Sequence, residues 1–152
     1  MLLRTSPLAE KPYHQKLFLC SSFTELTLFS PASGKAFAFN FPLLQNIFLA
    51  ESVVSRNIIR SNTTVNNART LSSVIAHKIV HSLLENKLGL ITYRMRPAWK
   101  NEGYCDFIAN EISYNYTQGL QGICRKLAPS SSNSFKYFKA RLFTYRRKNY
   151  FG

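Results

Sequence analysis

His77 and His81 are four residues apart, within a stretch running from Leu71 to Ala109. On a helix that spacing sets both imidazoles on one face, about one turn apart. Two imidazoles so placed can hold one tetrahedral zinc ion. Further along, Glu102 can supply a carboxylate oxygen as a third ligand. Asp106, one helical turn beyond Glu102, can hydrogen-bond a ligand histidine from behind. The residue directly after His77 is Lys78. Hydrolysis at such a site needs a carboxylate close by, to accept a proton from water and pass it to the leaving amine. A protonated lysine cannot accept that proton, and its charge opposes a bound cation. Lysine serves as a base only where desolvation and a neighbouring cation lower its pKa strongly. Glu85 is a poor substitute, because it lies two turns, about 12 Å, along the helix from His77.

The run His77-Lys78-Ile79-Val80-His81, followed by Asn101-Glu102-Gly103-Tyr104-Cys105-Asp106, resembles the gluzincin-type zinc metallopeptidases, in a branch of small bacterial proteins. Those enzymes carry H-E-x-x-H and then N-E-x-x-x-D, with the glutamate of the second motif as the third zinc ligand. The gap from His81 to Glu102 is 21 residues (102 − 81), which agrees with that pattern, as does the spacing from Glu102 to Asp106. The resemblance implies zinc on His77, His81 and Glu102, with Asp106 orienting His77. It also implies a general-base glutamate where this chain has Lys78, so the expectation is an inactive or weakened relative that keeps zinc or peptide binding. In such folds a small sheet precedes the active-site helix, and its edge strand can take an extended peptide.

The elements that must position these residues are legible in outline. Residues 1–15, with Pro7 and Pro12, read as a loose leading segment; His14 there is expected at the surface. Lys16–Ser21, Glu25–Ser30, Ala36–Phe41 and Asn46–Ala50 read as strands of a small, mainly antiparallel sheet, with Phe37, Phe39 and Phe41 on one face. Residues 31–34 read as a turn. Glu51–Asn67 reads as a loop with one helical turn at its start. The first helix is expected from a cap at Asn67 or Thr70 to Leu88, with Gly89 ending it. Leu71, Val74, Ile75, Leu84 and Leu88 form its apolar stripe, and His77, His81 and Glu85 a neighbouring one. Trp99 is expected either over the site or anchored in the core. A second helix is expected over Lys100–Ser113, with Glu102, Asp106, Ala109 and Ser113 on one face. Cys105 turns about 100° from its neighbours in a helix, so it is not expected to be a ligand or a nucleophile. A third helix is expected over Tyr116–Leu127. After the linker 129–133 comes a basic, aromatic C-terminal helix, making one α+β domain over residues 1–152.

Composition supports a globular chain: 152 residues, 45% hydrophobic and 14% aromatic. Twenty Lys and Arg against seven Asp and Glu give a net charge of +13. Residues 125–148 carry Arg125, Lys126, Lys136, Lys139, Arg141, Arg146, Arg147 and Lys148 without an acid. An excess of this kind favours nucleic acid or an anionic membrane surface as partner. That defines a second function class, a non-enzymatic basic binding module. Cys20, Cys105 and Cys124 are widely spaced, which fits free buried thiols as well as one disulfide, and they do not decide the compartment. No apolar run reaches the length of a transmembrane helix, and the opening segment lacks the apolar core of a signal peptide. Asn62-Thr63-Thr64 and Asn115-Tyr116-Thr117 match the glycosylation sequon, a signal with meaning only in a secreted protein.

Overall fold

A computed structural model describes residues 14–31, 36–41, 46–62, 68–110 and 121. The expected helix over Tyr116–Leu127, the linker at 129–133 and the basic C-terminal helix lie outside the described residues, apart from Gln121.

Among the described residues, two small three-stranded sheets precede three helices, and the fold is α+β. The first sheet contains β1 (Lys16–Leu19), β2 (Ala38–Phe41) and β3 (Asn46–Leu49), in the order β1-β3-β2. Strand β3 pairs parallel with β1 and antiparallel with β2. Its Ile47, Phe48 and Leu49 are all buried, as is Ala50 just after it, as expected of a central strand covered on both faces. All four residues of β1 are exposed. The second sheet is antiparallel and contains β4 (Ser52–Val53), β5 (Ile58–Arg60) and β6 (Ala68–Thr70).

Glu25–Ser30 is not a strand. Phe23–Phe29 forms helix α1, capped by Ser22, whose Oγ accepts from the Glu25 amide at 3.2 Å. The Glu25 carboxylate accepts from the Ser21 amide at 2.7 Å and from its hydroxyl at 2.8 Å. The S-x-x-E spacing of Ser22 and Glu25 is a helix-start signal, and here it prevails over the alternation that suggested a strand. Helix α1 buries Leu26 and stacks Phe29 on Phe48 with ring centroids 4.5 Å apart. The polar stretch after Glu51 is also more ordered than a loop. A 3-10 turn at Val54–Arg56 sits where one helical turn was expected, and strands β4 and β5 flank it.

Helix α2 (Leu71–Leu88) is the shared axis of the molecule. Its first turns join Leu71 and Val74 to the apolar core under the sheets. Its later turns pack Val80 and Leu84 against Cys105 and Ile108 of helix α4 (Ala98–Ala109). Thr70 occupies the N-cap position, but its side chain does not cap the helix. Asn57 does so from the second sheet. Its Oδ1 accepts from the Ser72 amide at 2.8 Å, and its carbonyl accepts from the Leu71 amide at 3.0 Å. Asn57 sits in the left-handed region at φ 53°, where asparagine is tolerated better than most residues. Gly89 ends α2 at φ 77° and ψ 148°, a conformation open essentially to glycine alone. The chain then enters helix α3 (Leu90–Met95) at once, where no helix was expected. Helix α4 stops at Asn110, which is left-handed at φ 54°; the expected helix ran to Ser113.

Candidate metal centre

The two histidines project from the middle of α2 into its contact with α4. His77 is 7% exposed and His81 6%. Their Nε2 atoms lie 2.9 Å apart. Glu102, from the first half of α4, reaches both: Oε2 is 3.1 Å from His77 Nε2 and Oε1 is 3.4 Å from His81 Nε2. Three electron-pair donors thus converge on one point. Ligands about 2.1 Å from one tetrahedral ion lie roughly 3.4 Å from one another, and these separations are of that order. The expected trio of His77, His81 and Glu102 is brought together.

The outward nitrogens are engaged as well. His77 Nδ1 is 3.0 Å from Oδ1 of Asp106, beside the residue expected to hydrogen-bond it, although the approach is not aligned as a hydrogen bond. Asp106 is 1% exposed, and Arg69 of β6 stands 3.9 Å from the same oxygen. The Arg69 guanidinium also lies over the Phe37 ring, 5.7 Å from its centroid. His81 Nδ1 is 2.5 Å from the Tyr93 hydroxyl. Tyr93 comes from α3, and the buried Asn101 holds that helix in place by donating to the Tyr93 carbonyl at 3.2 Å. A metal ligand needs the tautomer with Nδ1–H outward and the Nε2 lone pair inward; in the metal-free chain the contacts of the two Nε2 atoms with each other and with Glu102 require a proton on that side of a ring.

The charge states agree with that role. Burial lowers the His81 pKa from its ordinary value to about 4, against a hydrogen bond to the Glu102 carboxylate that raises it. His81 is therefore neutral near pH 7. Burial pushes Glu102 up, but its hydrogen bonds with His77 and His81 outweigh this and hold it below the usual carboxylate range. Burial, followed by nearby negative groups, raises Tyr93, which stays a protonated phenol.

Lys78 is half-buried, and desolvation pulls its pKa below the ordinary lysine value while Glu102 pulls it up. Glu85 is raised by burial, with Arg94 and Lys78 acting the other way. Trp99 is not anchored in the core: it is 40% exposed, with Lys100 Nζ 5.3 Å from its ring centroid. Cys20 and Cys105 are free and buried.

Three participants escaped sequence reasoning. Tyr93 and Arg69 were not among the expected site residues. Cys105 was placed outside the site, yet His77, His81 and Cys105 form a buried group whose ligand atoms all lie within 4.8 Å of one another. The available signal was the spacing from Glu102 to Cys105, since residues three apart share a helix face. Comparison with family models, curated proteins and solved structures found no match. Among the described residues, no helix is long and apolar enough to cross a membrane.

Proposed function

We propose that this chain is a zinc-binding domain of the zinc-peptidase type in which hydrolysis has been lost or much weakened. One observation carries the reading. The Nε2 atoms of His77 and His81 and the carboxylate of Glu102 converge within 2.9–3.4 Å, while Asp106 and Tyr93 face the outward nitrogens. Two imidazoles, a carboxylate and a nearby thiol are the donor types zinc selects. When bound, the ion supplies Lewis acidity.

The chain's own groups determine which chemistry the site retains. Neutral His81 and ionised Glu102 are ready to ligate without first losing a proton. The Tyr93 hydroxyl orients the His81 ring, and the Asp106 carboxylate stands beside His77 Nδ1. Lys78 stands where a carboxylate would take a proton from water, and its ammonium has no lone pair to do so. Desolvation eases its deprotonation, while the Glu102 carboxylate beside it opposes that. The remaining capability is to hold a metal and, beside it, a peptide group. Elemental analysis of purified protein, with His81→Ala as control, tests the reading. About one zinc per chain, lost in the control, is expected. No zinc after incubation with the ion would overturn it.

A further inference from the structure

The trio from the family pattern does not account for Cys105. It is fully buried, with 0% exposure, in the contact between α2 and α4. Its sulfur and a ring nitrogen of each histidine lie within 4.8 Å of one another. It stands three residues after Glu102 on α4, so both side chains face α2. Cys105 packs with Val80, Leu84 and Ile108 and also approaches the two imidazoles, so its sulfur lies where the apolar contact between the helices meets the candidate ligands. We propose that Cys105 is a ligand of the same metal ion, alongside His77 and His81, so that the ion is held through a thiolate. This rests on the zinc-binding reading above.

In the metal-free chain, burial, then Glu102 and Asp106, raise the Cys105 thiol well above its ordinary pKa, and a bound dication is what would deprotonate it. Lys78 places a cation beside a site that must take a dication, and like charges there weaken binding. A second anionic ligand beside Glu102 offsets that charge. On binding, the Cys105 S–H bond breaks, its proton passes to solvent and a metal–sulfur bond forms, with no change of oxidation state. A thiolate in the position that a catalytic site leaves open for water would close the site, as in zinc sites that stabilise structure.

Cobalt(II) substitution reads the sulfur directly. The metal-free full chain is titrated with cobalt under anaerobic conditions, and its absorption is followed. The expected result is a near-ultraviolet thiolate-to-cobalt charge-transfer band. It should persist in Cys20→Ser and Cys124→Ser and be lost in Cys105→Ser, with zinc affinity at least about tenfold weaker, the lower end of what an outer-shell partner costs. Tetrahedral cobalt absorption without that band in the unmutated chain would overturn the assignment and leave the zinc-binding reading standing. So would a band that survives Cys105→Ser. No cobalt binding at all would remove both.

Discussion

Tyr93→Phe is the perturbation that most directly separates a metal site from a cluster of buried polar groups. The substitution removes one oxygen and keeps the ring, which meets the His81 ring edge-on with centroids 6.2 Å apart. The loss is the 2.5 Å contact between the hydroxyl and His81 Nδ1. His81 is 6% exposed, so water cannot readily replace that partner. In the variant, the neutral ring can place its proton on Nε2 and turn a donor toward His77 and Glu102. That tautomer cannot ligate, and selecting the other one now carries the cost of a buried N–H with no acceptor. An unsatisfied buried polar group costs about 1–3 kcal/mol, which is roughly a 5- to 150-fold change in affinity at 1.4 kcal/mol per tenfold. Losses on removing outer partners of metal-bound histidines fall in the same range, about 10–100-fold. Competition against a chromophoric chelator at pH 7 measures it. Zinc affinity is expected to fall by one to two orders of magnitude, with zinc stoichiometry kept at saturation. An affinity within about twofold of the unmutated chain, in a folded variant, would refute the argument that Tyr93 selects the His81 tautomer.

The remaining expectations concern the cap, the protonation of the site and its lost base. Asn57→Ala removes the cap from the Ser72 amide and leaves alanine in the left-handed region; a loss of about 2 kcal/mol is expected. Asn57→Gly removes the cap alone and should cost about 1 kcal/mol or less, so equal urea midpoints for the two would contradict this account of how α2 starts. In metal-free protein, stability should fall as pH drops from 6.5 towards 4. The unfolded chain protonates His81 below 6.5, and the folded one only near 4. The unfolded state thus binds more protons throughout that window, with an upper limit of about 3 kcal/mol. A urea midpoint that is flat or rises between pH 7 and pH 5 in chelator would show that His81 is not held neutral. Lys78→Glu/Cys105→Ala supplies a carboxylate and frees a ligand position together. Zinc-dependent cleavage of a generic peptide is expected there, and less in Lys78→Glu alone; a folded, zinc-loaded double variant without activity would count against the loss of a base as the cause.

The parts of this molecule that could be read in advance are those where one periodicity dominates. The first long helix was expected to end at Leu88 with Gly89 beyond, and it does, because Gly89 adopts a backbone that other residues avoid. His77, His81, Glu102 and Asp106 meet because each pair is one turn apart on its own helix and the two helices pack through Val80, Leu84, Cys105 and Ile108. Where two local signals competed, the reading failed. Alternation in Glu25–Ser30 pointed to a strand, while the Ser22–Glu25 capping pair produced a helix. The cap of α2 could not be read from its own neighbourhood at all, since Asn57 reaches it from fourteen residues away (71 − 57). Tyr93 and Arg69 belong to the same class: each meets the site through tertiary packing, and neither lies on the helix that carries the histidines. Cys105 is different. Measured against its immediate neighbours it turned away, but measured against Glu102 it faced the same way, and the ligand face of α4 is set by Glu102. The useful reference for a helical position is the residue already known to touch the partner helix. Applied to α4, that rule places Gly103 and Tyr104 off the line from Glu102 to Asp106 and keeps Cys105 beside it. Of the candidates on this helix, Cys105 is therefore the one whose chemistry can still change what the site is.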